Sequence, residues 1–287
     1  MTNKSLMAFV VFLFLALVAR AEETIFSALE AESERNYKAA IQILTNLSKK
    51  EEGRDVLFYL ARAQYLSGHY SSASKVLERL HQNYSADGEA LYLSGLVHLA
   101  LVNEVNIFKK VGMANKALKS WESSVAADPK NIDSRYAIFA YYAKAPKIAG
   151  GNLEVARELM IQINEFDAGY GAMAAAQLFS KEGDYARAET AFQKATVLMN
   201  RAGPYFSLGQ FYMQTEQYNK VLTSVEKFLH LEKRWWDVDV TGAYLMMAKA
   251  NAELGNIEEA RRMAYQGLKK NPNKQIKRRL EATLKSL

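Results

Sequence analysis

The feature that most constrains this chain is a pattern that returns along it: a glycine or turn residue, an aromatic, an alanine, a bulky apolar residue and a small one, at helical spacing. It is plainest at Gly183-Asp184-Tyr185, Ala188, Phe192 and Ala195. The same frame returns at Gly68-His69-Tyr70, Ala73, Leu77, Leu80 and at Gly255-Asn256-Ile257, Ala260, Ala264, Gly267. Fainter copies centre on Ala40, Ala117, Ala156 and Val221, which makes seven. Upstream of the copies, small residues recur in the middle of a matching first helix, as at Leu60-Ala61, Ser94-Gly95, Ala175-Ala176, Leu208-Gly209 and Met247-Ala248. Such self-similarity marks one helix pair stacked many times. With only 4 prolines and 15 glycines in 287 residues, breakers are too few to separate many strands, so the fold is expected to be all-α.

Small residues at fixed positions let two helices cross closely, and large ones fill the space between units. On these residues the chain resembles the tetratricopeptide-repeat family, whose 34-residue unit is two antiparallel helices. The resemblance implies a right-handed superhelical solenoid of about seven helix pairs. The units fall near 22–53, 54–86, 88–131, 132–168, 169–201, 202–237 and 238–273. Segment 274–287 places Ile276, Leu280, Leu284 and Leu287 on one stripe among lysines and arginines, and reads as a capping helix that seals the open end.

The central small residues are spaced 33, 44, 39, 32, 33 and 39 apart, so three units carry insertions. The first, within 99–112, has helical composition and is expected to lengthen both helices of the third unit. The second is the loop Ala145-Pro146-Lys147-Ile148-Ala149-Gly150-Gly151-Asn152, where proline stops a helix and the paired glycines permit positive φ. With Trp121 to Pro129 before it, this loop looks like that of a group of exported bacterial tetratricopeptide-repeat proteins. The third insertion, 232–240, carries Trp235 and Trp236. Neighbours on a helix point about 100° apart, so the two indoles can hardly share one buried site: either one stays exposed as an interaction anchor, or both are covered by neighbouring helices, the commoner outcome for large aromatics.

The first 21 residues read as a signal peptide: Lys4, an apolar run over 6–19, and the small-x-small pattern Ala19-Arg20-Ala21. The run of about 14 apolar residues falls short of the roughly 20 that cross a bilayer. No cysteine occurs, which removes disulfides and thiolate chemistry and points an exported chain toward a bacterial periplasm. The net charge of +6, about +4 once Lys4 and Arg20 are set aside, does not call for nucleic acid.

No catalytic constellation emerges. His69, His81, His98 and His230 are scattered, no metal motif occurs, Gly150-Gly151 lacks the lysine of a phosphate loop, and no Gly-x-Ser-x-Gly elbow exists. No enzyme activity, cofactor or metal is expected. Binding has the stronger case, because the first helix of each unit lines an extended inner groove. Transferred by resemblance, the groove positions are Asp55, Phe58, Arg62, Tyr65 and Tyr92, then Met173, Gln177 and Lys181, then Phe206, Gln210 and Met213, and last Leu245 and Lys249. The expected function is a non-catalytic periplasmic scaffold for a protein or peptide partner. The alternative is a carrier for an apolar small molecule working with an envelope transport system.

Overall fold

The structure, a computed structural model, describes residues 24–287. The expected signal peptide lies outside these residues. Helix α1 (24–33) pairs with α2 (Tyr37–Ser48), α3 (Arg54–Leu66) with α4 (Tyr70–Asn83), and α5 (Gly88–Leu101) with α6 (Ile107–Ala127). Then come α7 (Ile132–Lys144) with α8 (Leu153–Phe166), α9 (Ala168–Glu182) with α10 (Tyr185–Met199), and α11 (Ala202–Gln214) with α12 (Tyr218–His230). The array ends with α13 (Val240–Glu253), α14 (Ile257–Lys269) and α15 (Lys274–Ser286). No strand occurs among the described residues, and consecutive pairs stack into a right-handed superhelical solenoid.

Asn and Asp start most of these helices. The side chains of Asn36, Asp87, Asn106, Asn131, Asn152, Asp167, Asp184, Asp239 and Asn273 each accept a backbone N–H of the first turn. Amphipathic periodicity then sets the packing. All seven central residues of the repeat, Ala40, Ala73, Ala117, Ala156, Ala188, Val221 and Ala260, are 0% exposed, which is what close helix crossing requires. At the crossing of α5 and α6 even a methyl is excluded. A Cβ on Gly95 would lie 2.1 Å from Trp121 Nε1, and Trp121 is itself buried.

The core is a continuous slab. One buried cluster runs from Ala28 to Leu101, the next joins Tyr92 and Trp121 to Tyr141, another joins Phe139 to Leu178, and a fourth runs from Ala172 to Ala250. At the end, Leu280 of α15, flanked by Ile276 and Leu284, covers Leu245, Ala248, Met263 and Ala264.

The first insertion behaves differently from expectation. Helix α5 has 14 residues, an ordinary length, while α6 has 21. Asn106 begins a new helix by accepting the Lys109 N–H at 3.2 Å, so the inserted residues extend α6 alone. The proline-glycine loop is as its composition implies. Ala145 takes the extended conformation demanded before proline (ψ 145°), one 3₁₀ turn follows over Lys147–Ala149, and Gly150 has φ +87°. A Cβ on Gly151 would lie 1.8 Å from the Ala145 carbonyl oxygen, so only glycine fits. The Tyr141 hydroxyl sits within hydrogen-bonding reach of the Ala149 carbonyl and of Asn115 Oδ1, fastening this loop to α6. No helix among the described residues is long and apolar enough to cross a membrane.

Candidate functional site: the inner groove and its loop

The connection between α12 and α13, residues 231–239, decides what the inner face can do. Leu231 leaves α12 in an extended conformation, and the Asp237 N–H donates to the Arg234 carbonyl at 3.0 Å, making a tight turn with Trp235 and Trp236 at its two corners. Arg234 N–H donates in return to Asp237 Oδ2 at 2.8 Å. The third insertion is thus a turn, and the two indoles meet edge to face at 5.1 Å. The expectation of an exposed anchor is corrected: both tryptophans are half-buried in the groove.

Four first helices grip this loop. The Trp235 ring stands edge-on to Phe58 of α3 (6.1 Å) and Tyr92 of α5 (6.4 Å), with the Arg62 guanidinium 5.9 Å from its centre. Trp236 meets Tyr92 at 5.8 Å. Arg234 pairs with Asp133 of α7 at 3.0 Å and donates to the Tyr170 hydroxyl of α9 at 3.1 Å. Each aromatic pair contributes about 0.5–1.5 kcal/mol beyond its buried area. Burial of the Asp237 carboxyl raises its pKa, opposed by the Arg234 N–H and the Arg201 and Arg234 charges.

The two ends of the array also meet. Arg35, after α1, donates to Asp239 and to the Lys270 carbonyl, and reaches the Asn271 carbonyl at 3.3 Å. Asn271 Nδ2 donates back to the Arg35 carbonyl at 2.8 Å. Both Arg35 and Asn271 hold positive φ (64° and 52°), a conformation uncommon for residues with a side chain. Beside this staple lies a cavity of 680 Å³, whose lining includes Glu32, Arg35, Lys233, Trp235 and Lys270.

The transferred groove positions therefore divide. Phe58 and Tyr92 are buried in the core and carry the loop on their edges. Arg62 is already paired, 2.8 Å from Glu32, whose pKa burial raises against the pull of that arginine. Met173 and Phe206 pack into the slab between units, Phe206 against Phe228 at 5.3 Å. Leu245, 2% exposed, lies under the capping helix, and these three are not groove-facing as expected. Tyr65 is half-buried against Tyr70, Met213 joins the slab, Lys249 is half-buried, and Asp55 is exposed beside Arg54. Gln177, Lys181 and Gln210 converge on one open cleft of 260 Å³ formed by α7, α9 and α11, with Lys144, Ser180 and Gln214 around them.

Two hydrogen bonds and a ring contact between them join that cleft to the loop. Gln177 donates to the Tyr136 hydroxyl, the Tyr136 ring stands against Tyr170 at 5.4 Å, and Tyr170 meets Arg234. Burial drives the pKa of both tyrosines far above the ordinary value. The Arg201 guanidinium lies 4.8 Å above the Tyr170 ring. Along this run several polar atoms are buried with no hydrogen-bond partner: Gln177 Oε1, Arg201 Nε and Nη1, and Trp235 Nε1. Each such atom costs about 1–3 kcal/mol.

Sequence reasoning missed Arg35, Asp133, Tyr170, Arg201, Arg234 and Asp239, since each acts across units far apart in the chain. The one available signal was the charged bracket Lys233-Arg234-Trp235-Trp236-Asp237 around two indoles. Among the described residues no group of three or more His, Asp or Glu could hold a metal ion. His81 and His98 lie in another cleft, within 2.8 Å of Ser94 Oγ and 3.2 Å of Ser120 Oγ, and burial lowers the pKa of each.

The tetratricopeptide-repeat model matches residues 55–86 and 243–273, the second and seventh units. No curated protein matches the sequence. Among solved structures, a tetratricopeptide repeat protein from Parabacteroides merdae ATCC 43184 shares 18% identity over 92% of this chain and 98% of its own, with a TM-score of 0.55. The human IFIT1 dimer with PPP-AAAA shares 15% identity over 86% of this chain and 53% of that one, at 0.54. At such identities the likeness is one of fold. The chain is an all-α solenoid of stacked helix pairs, two of its units match the tetratricopeptide-repeat model, and its fold is similar to that of a solved tetratricopeptide repeat protein.

Proposed function

We propose that the protein is a non-catalytic interaction scaffold, exported to the bacterial periplasm, that holds a peptide or protein segment along its inner groove. The observation that carries this is the convergence of Gln177, Lys181 and Gln210 from successive first helices on one cleft. Amide and ammonium groups spaced along a groove suit the backbone and acidic side chains of an extended segment. The charged groups around the 680 Å³ cavity favour such a segment over an apolar small molecule.

Capture from an envelope extract by the chain lacking residues 1–21 tests the reading. Lys181→Glu and Gln210→Ala replace exposed side chains, so they should leave the fold intact and remove the captured partner. A partner retained equally by both variants overturns the assignment of this cleft.

A further inference from the structure

The connection 231–239 fills the groove without completing it. Its two indoles take the aromatic seat offered by Phe58 and Tyr92, its arginine takes the carboxylate of Asp133, and its Asp239 takes the Arg35 guanidinium. These are the contacts a bound segment would make, yet Gln177 Oε1 and Arg201 Nε and Nη1, on the run that joins the cleft to the loop, remain buried without a partner. The turn's own groups are engaged within it, the Asp237 N–H with the Arg234 carbonyl and the Arg234 N–H with the Asp237 carboxylate. An extended segment has free carbonyls and N–H groups for all three atoms.

We propose that residues 233–239 are a built-in, displaceable occupant of the groove, and that the partner is an extended peptide segment with adjacent aromatic residues between a basic residue and a carboxylate. This rests on the groove-binding function proposed above and names both its partner class and its control. The partner enters along the Gln177, Lys181 and Gln210 cleft, meets Tyr136 and Tyr170, and replaces Arg234 on Asp133 and the indoles on Phe58 and Tyr92. Its backbone then supplies the bonds that the turn leaves unmade. The loop is tied at His230 and Val240, so it competes at a high effective concentration, on the order of millimolar for short tethers. The groove's apparent affinity falls by the fraction of molecules in which the loop is out.

The test uses the chain's own segment as probe. A synthetic peptide of residues 231–240 is titrated into the wild-type chain, into Trp235→Ala/Trp236→Ala, and into a variant lacking Lys233 to Asp237. That deletion restores the 34-residue spacing of the repeat. Both variants should bind the peptide about tenfold or more tightly than wild type, and a peptide with both tryptophans replaced by alanine should not bind. If folded variants bind the peptide no better than wild type, displacement is wrong. Hydrogen exchange on the wild-type chain needs no variant: amides of 233–239 should open well before those of α12 and α13, and equal protection overturns the proposal. Loss of partner capture in Lys181→Glu is read separately. Peptide binding can therefore fail while the scaffold function stands, or succeed while no envelope partner is captured.

Discussion

At the scale of single residues, buried groups with displaced pKa values tie the stability of this protein to pH. His81 and His98 have pKa values held below the usual 6.5, first by burial and, for His98, next by the Lys116 charge. As pH falls below 6.5 the unfolded chain takes up protons before the folded one, so this contribution to stability is lost on acidification. Glu32 and Asp237 act in the opposite sense: their pKa values are raised by burial, so the folded state is favoured where they are protonated and loses stability as pH rises. Comparison with His81→Gln isolates the histidine. The thermal midpoint of the wild type should fall from pH 7 to 5.5, and the fall should be smaller in His81→Gln. Equal falls would show that His81 does not carry the effect.

At the scale of elements, the units depend on their neighbours, as in any stacked array. The apolar stripe of helix α15 serves the last unit, covering Leu245, Met263 and Ala264. Removing 274–287 uncovers those side chains, at about 1.5–3 kcal/mol for each large one returned to water. Hydrogen exchange should then show α13 and α14 losing protection while α3 to α6 keep theirs. Uniform loss along the chain would mean that the array unfolds as one unit. The α6 extension illustrates the same locality, since a single Asn106 cap assigned the whole insertion to one helix.

At the scale of the whole molecule, the array is held as a closed turn by contacts between its ends. Arg35 joins Asp239, the Lys270 carbonyl and the Asn271 carbonyl, residues more than 200 positions away. A single exposed ion pair contributes about 0–1 kcal/mol, but here one guanidinium satisfies a carboxylate and two carbonyls and also seats the base of the groove loop. Arg35→Ala should therefore enlarge the radius of gyration in solution scattering and loosen the loop, seen as a red shift of tryptophan fluorescence, with helix content unchanged. Trp235 and Trp236 are two of the 3 tryptophans, and Trp121 is buried in the core, so the shift reports the loop. An unchanged radius and spectrum would show that the staple is not what closes the ring.

The sequence by itself determined the repeating unit. Alanines and glycines at the crossings, Asn and Asp at the helix starts and the Pro146 to Gly151 loop are local matters, settled by sterics and capping within about forty residues. Of the groove positions that the resemblance implies, Gln177, Lys181 and Gln210 line one cleft. The sequence did not show that Leu245, Phe206 and Met173 pack inward, because groove and core positions alternate on the same helix and unit curvature decides between them. Only the tertiary structure decided that the turn at Trp235 and Trp236 lies in the groove and that Arg35 meets Asp239. Small rotations from unit to unit accumulate over the array, and their sum, which no local pattern records, brings residues two hundred positions apart into contact.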